Sequence, residues 1–307
     1  MKKLFIVVLA AFLAVPVLGA AAKGQTKADF IIVESGEYAA GQEDIYLTNG
    51  LGGFLGMEPV VKKMTHMQAM QDPTLANLDY SFLPLYLIKK TDAVRAKMEE
   101  PLKQGIVQET PEYIVLSRQT RTGVYGKAEA KPNVMEIFVM SQCPYGVMAE
   151  NAVIEAKKKG KFPVDKVVKL RYIVTQTPEG FSSMHGTAEW EEDIRQLLIA
   201  KYYPTKLWQY LSIRNKDYHS SRWDVAMKAA GINPNKIAKK FDTEGVELLK
   251  KEAQYGKEYG IGASPTFLWE GKVKLDFGTA AEIDGFSFLS PDHSSNSAGA
   301  AAPSGSC

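Results

Sequence analysis

Cysteine is nearly missing from this chain: 307 residues hold two, Cys143 and Cys307. A secreted scaffold stapled by several disulfides is therefore excluded. Histidine is almost as scarce. His66, His185, His219 and His293 are scattered, with no H-x-x-x-H or H-x-x-E-H spacing, so no metal site is expected. There is no phosphate-cradling G-x-x-x-x-G-K-[ST] loop and no Ser-His-Asp motif, and no cofactor is expected. Excess charge of either sign is missing too. The formal net charge is +2, which makes nucleic acid and anionic membrane poor candidates as partners. After the first twenty or so residues no apolar run reaches the ~18 residues that a bilayer span requires.

What the N-terminus does contain is an export signal in outline. Lys2 and Lys3 precede an apolar run from Leu4 to Leu18, and Gly19, Ala20, Ala21 and Ala22 offer a small-residue cleavage site. Residues 1–22 read as a signal peptide, with a periplasmic or secreted destination. Its removal takes away two lysines and no acid, so the net charge falls from +2 to 0.

The remainder is long enough for two domains. Residues 23–131 read as a mixed α/β domain. Phe30 to Val33 is a strand candidate. In Met57 to Met70, the residues Val60, Val61, Met64, Met67 and Met70 fall on one face at helical spacing. Phe82 to Ile88 is strand-like, Asp92 caps a helix running through Gln104 to Gly105, and a hairpin turns around Glu109, Thr110 and Pro111. Such a domain fits a cysteine-free thioredoxin-like unit or another small α+β fold, and the sequence does not choose between them. Gly126 to Asn133 has linker composition, and residues 132–284 read as a second domain. From residue 285 to Cys307 the chain is rich in Ser, Ala, Gly and Pro and is expected to be disordered.

The second domain opens with a buried-strand pattern, Met135 to Met140, then Ser141-Gln142, then Cys143-Pro144-Tyr145-Gly146 and a helix-forming stretch. Proline suits a first helical turn, where its missing N–H would be unpaired anyway. Cys143 is thus placed at a helix N-terminus, where free N–H groups and the helix dipole favour a thiolate, the reactive form. The spacing resembles the glutaredoxin-like C-P-Y-C site, with Gly146 in place of the second cysteine. A small buried cysteine at a helix start is the plain alternative. Far downstream, Ser264-Pro265-Thr266 precedes the apolar run Phe267-Leu268-Trp269, with Gly271 as a turn. In thioredoxin-like folds a cis-proline at such a point lies beside the reactive cysteine, and the exposed backbone next to it suits an extended substrate.

On these residues, 134–275 resemble the DsbA-like branch of the thioredoxin superfamily, and most of all the interferon-inducible lysosomal thiol reductase family. That family carries a C-Q-H-G-x-x-E-C-x-x-N-type signature in a helical insertion. The corresponding segment here matches at His185, Gly186 and Glu189, with Ser183 and Trp190 at the cysteine positions and Asp193 at the asparagine. The resemblance implies an α/β (α+β) thioredoxin-like domain with a helical insertion at about 183–250. It also implies thiol–disulfide exchange with protein or peptide substrates. Without the insertion's disulfides, residues 183–250 must be held by packing. Ile194, Leu197, Leu198, Tyr202, Leu207, Trp208 and Leu211 supply a core stripe for it. His185 is read as structural, in a helix cap or packed beside the site, and Lys157 to Lys161 as a solvated helix end.

The expected site is Cys143 as catalytic nucleophile, with Pro144, Tyr145, Ser264 and Pro265 contacting substrate. A glycine at 146 cannot resolve a mixed disulfide, so release requires glutathione, a partner reductase, or Cys307. Counted from Ser290, the 17 residues that end at Cys307 reach roughly 20–25 Å as a flexible chain, enough to make Cys307 a candidate resolving thiol. The competing expectation is a redox-silent thioredoxin-fold binding module or chaperone.

Overall fold

A computed structural model of the chain describes residues 26–36, 43–116 and 121–290. The expected signal peptide at 1–22 and Cys307 lie outside the described residues. The chain divides into two compact units between Ala128 and Glu129, inside the stretch with linker composition.

The first unit runs β1 (Lys27–Glu34), α1 (Glu43–Leu55), β2 (Glu58–Thr65), α2 (His66–Ala69), β3 (Phe82–Leu83), β4 (Leu85–Lys89), α3 (Asp92–Lys97), α4 (Glu99–Lys103), β5 (Gln108–Glu109), β6 (Tyr113–Leu116) and β7 (Gly123–Tyr125). Five strands form a sheet in the order β2-β1-β4-β6-β5. The β1–β2 pair is parallel and the other pairs are antiparallel. β4 shows why a sheet forms here. Its first four residues, Leu85 to Ile88, are all buried, and the two-residue period sends them to opposite faces. Tyr86 and Ile88 pack with Phe30, Ile32, Leu51 and Leu55, whereas Leu85 and Leu87 pack with Val33, Ala69 and Leu75. The Leu83–Pro84 bond just before β4 is cis, and β3 pairs with β7, Leu83 opposite Val124.

Two local expectations change. The helical spacing over Met57 to Met70 is not realised: β2 pairs with β1 along all eight of its residues, Glu58 to Thr65. Val60 and Val61 are β-branched and are 43% and 42% exposed; of the apolar face on which the helical reading rested, Met64 alone packs partly against a core cluster, while Met67 and Met70 are exposed. A helix starts only at His66, where Thr65 and Gln68 form a reciprocal capping box. The helix expected from Asp92 is two short helices broken at Met98, and its cap is Thr91, whose side chain accepts from Val94 N.

The second unit runs β8 (Val134–Val139), α5 (Pro144–Lys158), β9 (Val167–Tyr172), a β10 (Thr175–Thr177) and β11 (Gly180–Ser182) hairpin, and then the helical insertion. The insertion contains α6 (Thr187–Tyr202), α7 (Leu207–Arg214), α8 (Trp223–Ala229), α9 (Pro234–Ala238) and α10 (Val246–Glu258). β12 (Thr266–Trp269), β13 (Val273–Leu275) and α11 (Phe277–Ala281) complete it. Its strands lie in the order β13-β12-β8-β9, with β8–β9 parallel and the others antiparallel. Ile194, Leu198, Leu207 and Leu211 of the expected stripe are buried, and Leu197, Tyr202 and Trp208 pack partly against the same core. The folded chain continues past the expected boundary at 284: Phe286 and Leu289 are fully buried and join the core. Two large apolar side chains in an otherwise Ser-rich stretch suffice to hold it there.

The fold is mixed α/β and thioredoxin-like, with a helical insertion. Both units share one connectivity: strand, helix, parallel strand, cis X-Pro bond, then two antiparallel strands. The order β2-β1-β4-β6 of the first corresponds to β9-β8-β12-β13 of the second.

Candidate functional site

Cys143 is the residue that α5 begins on. Its backbone is extended (φ −79°, ψ 123°), Pro144 follows in the first helical turn, and Val147 N donates to Cys143 O at 3.0 Å. Backward, Cys143 N donates to Met140 O at 3.0 Å. The residue is pinned on both sides in a tight strand-to-helix turn. The helix dipole and free first-turn N–H groups of α5 lie where a sulfur anion would form.

The expected partner from the far end of the chain is in place. The Ser264–Pro265 bond is cis. Cys143 Sγ lies 3.5 Å from Ser264 O, and Ser264 Oγ accepts from Met140 N at 3.0 Å. Ser264, Cys143, Ser141 and Gln142 are all buried. Pro144 is exposed, Tyr145 is half-buried and Pro265 is buried, so the five expected site residues occupy one neighbourhood of differing depth. Cys143 is disulfide-bonded and carries no free thiol. The sequence holds one other cysteine, Cys307, outside the described residues.

The insertion reaches this turn through one carboxylate. Glu189, on the first turn of α6 and fully buried, accepts from Gln142 N at 3.1 Å. It also accepts from His185 N at 3.2 Å and lies 2.6 Å from His185 Nδ1. Ser141 Oγ donates to the Glu189 carbonyl at 3.1 Å. His185 and Glu189, two of the three signature matches, therefore form a clamp on the residues just before Cys143.

Below the site lies a group of acids. Glu150 of α5 is fully buried and pushed up to about 8, first by burial and further by the nearby Glu192 charge, against a hydrogen bond from Asn215. Asp193 is raised well above the carboxylate range by burial, with Glu189 and Glu192 adding to it. Tyr210 OH donates to Glu192 Oε1 at 2.7 Å. On the opposite side of β8, Glu136 accepts from Lys131 Nζ at 2.8 Å, Arg171 Nε at 2.7 Å and Tyr255 OH at 2.6 Å. Burial pushes its pKa up, but these hydrogen bonds and the Arg171 charge outweigh burial and hold Glu136 below its ordinary value.

Sequence reasoning passed over these acids. The signal was present: Glu189, Glu192, Asp193 and Gln196 recur at the i, i+3, i+4, i+7 spacing of one helix face, and all four are buried. Scanning for apolar residues at that spacing hides a polar face turned inward. Lys157, expected at a solvated helix end, stacks its ammonium 3.8 Å from the Phe162 ring centroid. Burial lowers its pKa. Among the described residues no group of three or more His, Cys, Asp or Glu is arranged to hold a metal ion, and no helix is long and apolar enough to cross a membrane.

The sequence matches no protein-family model, and no curated protein is similar enough to count as a relative. Solved structures of DsbA-like proteins are similar at low identity. A DsbA from Proteus mirabilis with a non-covalently bound peptide is 13% identical, with 57% of this chain and 92% of that one covered and a TM-score of 0.39. BdbD from Bacillus subtilis is 18% identical, covering 53% and 91%, with a TM-score of 0.39. Reduced DsbA1 from Neisseria meningitidis is 14% identical, covering 57% and 90%, with a TM-score of 0.40. At such values the likeness carries no residue's role over to this chain.

Proposed function

We propose that the chain is an exported thiol–disulfide exchange protein whose C-P-Y-G site works through the sulfur of Cys143. The observation that supports this most is the placement of that sulfur at the start of α5, 3.5 Å from the Ser264 carbonyl. In the reduced state the Cys143 thiolate attacks one sulfur of a protein or peptide disulfide. The substrate S–S bond breaks, a mixed disulfide forms at Cys143, and the other substrate sulfur leaves as thiolate. A second thiolate then attacks the mixed disulfide and frees the substrate. That thiolate comes from glutathione, a partner reductase, or Cys307. Exposed Pro144 and half-buried Tyr145 shape the surface around the sulfur, while Ser264 and Pro265 offer backbone to an extended substrate. The likeness of Ser183 to Asp193 to the interferon-inducible lysosomal thiol reductase signature enters through His185 and Glu189, which brace the cysteine turn. The signal peptide at 1–22 would deliver the protein to the periplasm or outside the cell.

The test is capture of mixed disulfides by reduced wild type against Cys143→Ser and Cys307→Ser. Wild type and Cys307→Ser are expected to trap substrates and Cys143→Ser to trap none at this site. Equal trapping by all three overturns the reading. One observation favours a redox-silent binding module instead: Cys143 is fully buried. Alkylation of the reduced protein across pH separates the two, because a midpoint near the free-thiol value of ~8.5 fits the binding module and a lower one fits exchange.

A further inference from the structure

We infer that Ser264 and Gly146 are a matched steric pair that keeps the Cys143 site to one thiol, which makes Ser264 a positioning residue that determines how substrate is released. The inference deepens the exchange reading of Cys143 and rests on it for its functional meaning.

Gly146 lies in the first turn of α5, on the side toward β8, and is buried. A Cβ built on it would stand 2.7 Å from Ser264 Oγ, 3.2 Å from Met140 O and 3.2 Å from Val139 Cβ. The closest obstacle is thus a hydroxyl, and that hydroxyl is not free to swing aside without loss. It accepts from Met140 N at 3.0 Å in a buried setting, and turning it away would take this partner from a buried N–H. The volume that the stem of a second thiol would need is held by Ser264. The C-P-Y-G sequence is therefore more than a dithiol site short of one sulfur, because the residue before Pro265 fits the glycine.

The chemical consequence concerns the mixed disulfide. With a thiol at 146, its thiolate would attack the Cys143 sulfur, the bond to substrate would break, the substrate would leave as thiolate, and a 143–146 disulfide would form. The Gly146–Ser264 pair closes that route. Release then requires a thiol from outside the C-P-Y-G turn, whether a low-molecular-weight thiol, a partner protein or Cys307, and the covalent complex lives until one arrives.

The test uses the full chain with Cys307→Ser, so that the added thiol has no other partner than Cys143. Gly146→Cys is compared with Gly146→Cys combined with Ser264→Ala, each equilibrated in glutathione buffers and read by mass spectrometry of the 143–146 disulfide. Removing the hydroxyl is expected to raise the equilibrium constant for that disulfide by about tenfold or more, a shift of ~30 mV. Equal constants in the two proteins overturn the pairing. If Gly146→Cys fails to fold, a cycle without thiols decides: Ser264→Ala should lower the thermal midpoint of the wild type yet raise that of Gly146→Ala, and additive effects overturn it. Because the cycle involves no sulfur, its failure is distinct from a failure of Cys143 to trap substrate.

Discussion

The two units carry the same strand order and differ in what they bury. Among the described residues, the first unit buries one polar side chain, Thr48. The second buries Glu136, Glu150, Glu189, Glu192, Asp193, Arg214 and Glu252, several of them around the strand and helix that hold Cys143. Each unit also sets a glycine against the residue that precedes its cis-proline. Gly146 abuts the Ser264 hydroxyl in the second unit, and Gly123 abuts the Leu83 carbonyl in the first. In the first unit that glycine belongs to β7, a strand of the chain itself, laid along Leu83. The first unit is built as an apolar scaffold. The second accepts the cost of buried charge where a sulfur sits.

The comparison can be broken most forcefully at Glu136. Glu136→Ala leaves Arg171 and Lys131 without their shared buried carboxylate, and unfolding in urea should show a loss of about 3–5 kcal/mol. A loss under ~1 kcal/mol would mean that charge burial does not distinguish the units. Glu150 offers a pH signature. It stays protonated in the folded state up to about 8, whereas in the unfolded chain it ionises from its ordinary 4.5. Between those values the unfolded state loses the proton first, so stability falls as pH rises, by at most about 1.4 kcal/mol per pH unit. Glu150→Gln should flatten that decline, and an unchanged slope between wild type and variant would place its source elsewhere.

Smaller effects sharpen the contrast from the other side. A Cβ at position 123 would stand 2.4 Å from Leu83 O and 2.3 Å from Phe82 Cζ. Gly123→Ala should destabilise the chain by about 1–3 kcal/mol, with the reduced Cys143 alkylation rate unmoved. A changed rate would show that the first unit supports the cysteine turn. The smallest effect is expected at Glu34, whose ion pair with Lys63 spans 2.8 Å between side chains 26% and 49% exposed. Glu34→Ala should cost under ~1 kcal/mol by thermal unfolding and less still at high salt.

Much of the site was legible because its signals are local. Proline after a cysteine between a buried strand and a helix-forming stretch specifies an N-terminus, and Ser264-Pro265 before an apolar run specifies a strand start. Their meeting 121 positions apart was an expectation from resemblance, met here in geometry. What escaped was non-local. Val60 and Val61 have helical spacing, but a parallel partner along β1 made them a strand. Glu150, Glu192 and Asp193 look like the solvated face of ordinary helices until the neighbours that bury them are known. Phe286 and Leu289 sit in a stretch whose composition averages to disorder, and averaging erases two anchors. The fit of Ser264 to Gly146 is a contact between side chain and empty space, which no spacing rule encodes.

Glu189 has a mechanical consequence. One carboxylate holds Gln142 N and His185 together, so the peptide group one residue ahead of the sulfur is rigged to the leading end of α6. Tugging on that helix, whether by a bound protein or by thermal bending, would tilt the sulfur's seat without touching it, and the insertion becomes a lever whose short arm is Gln142.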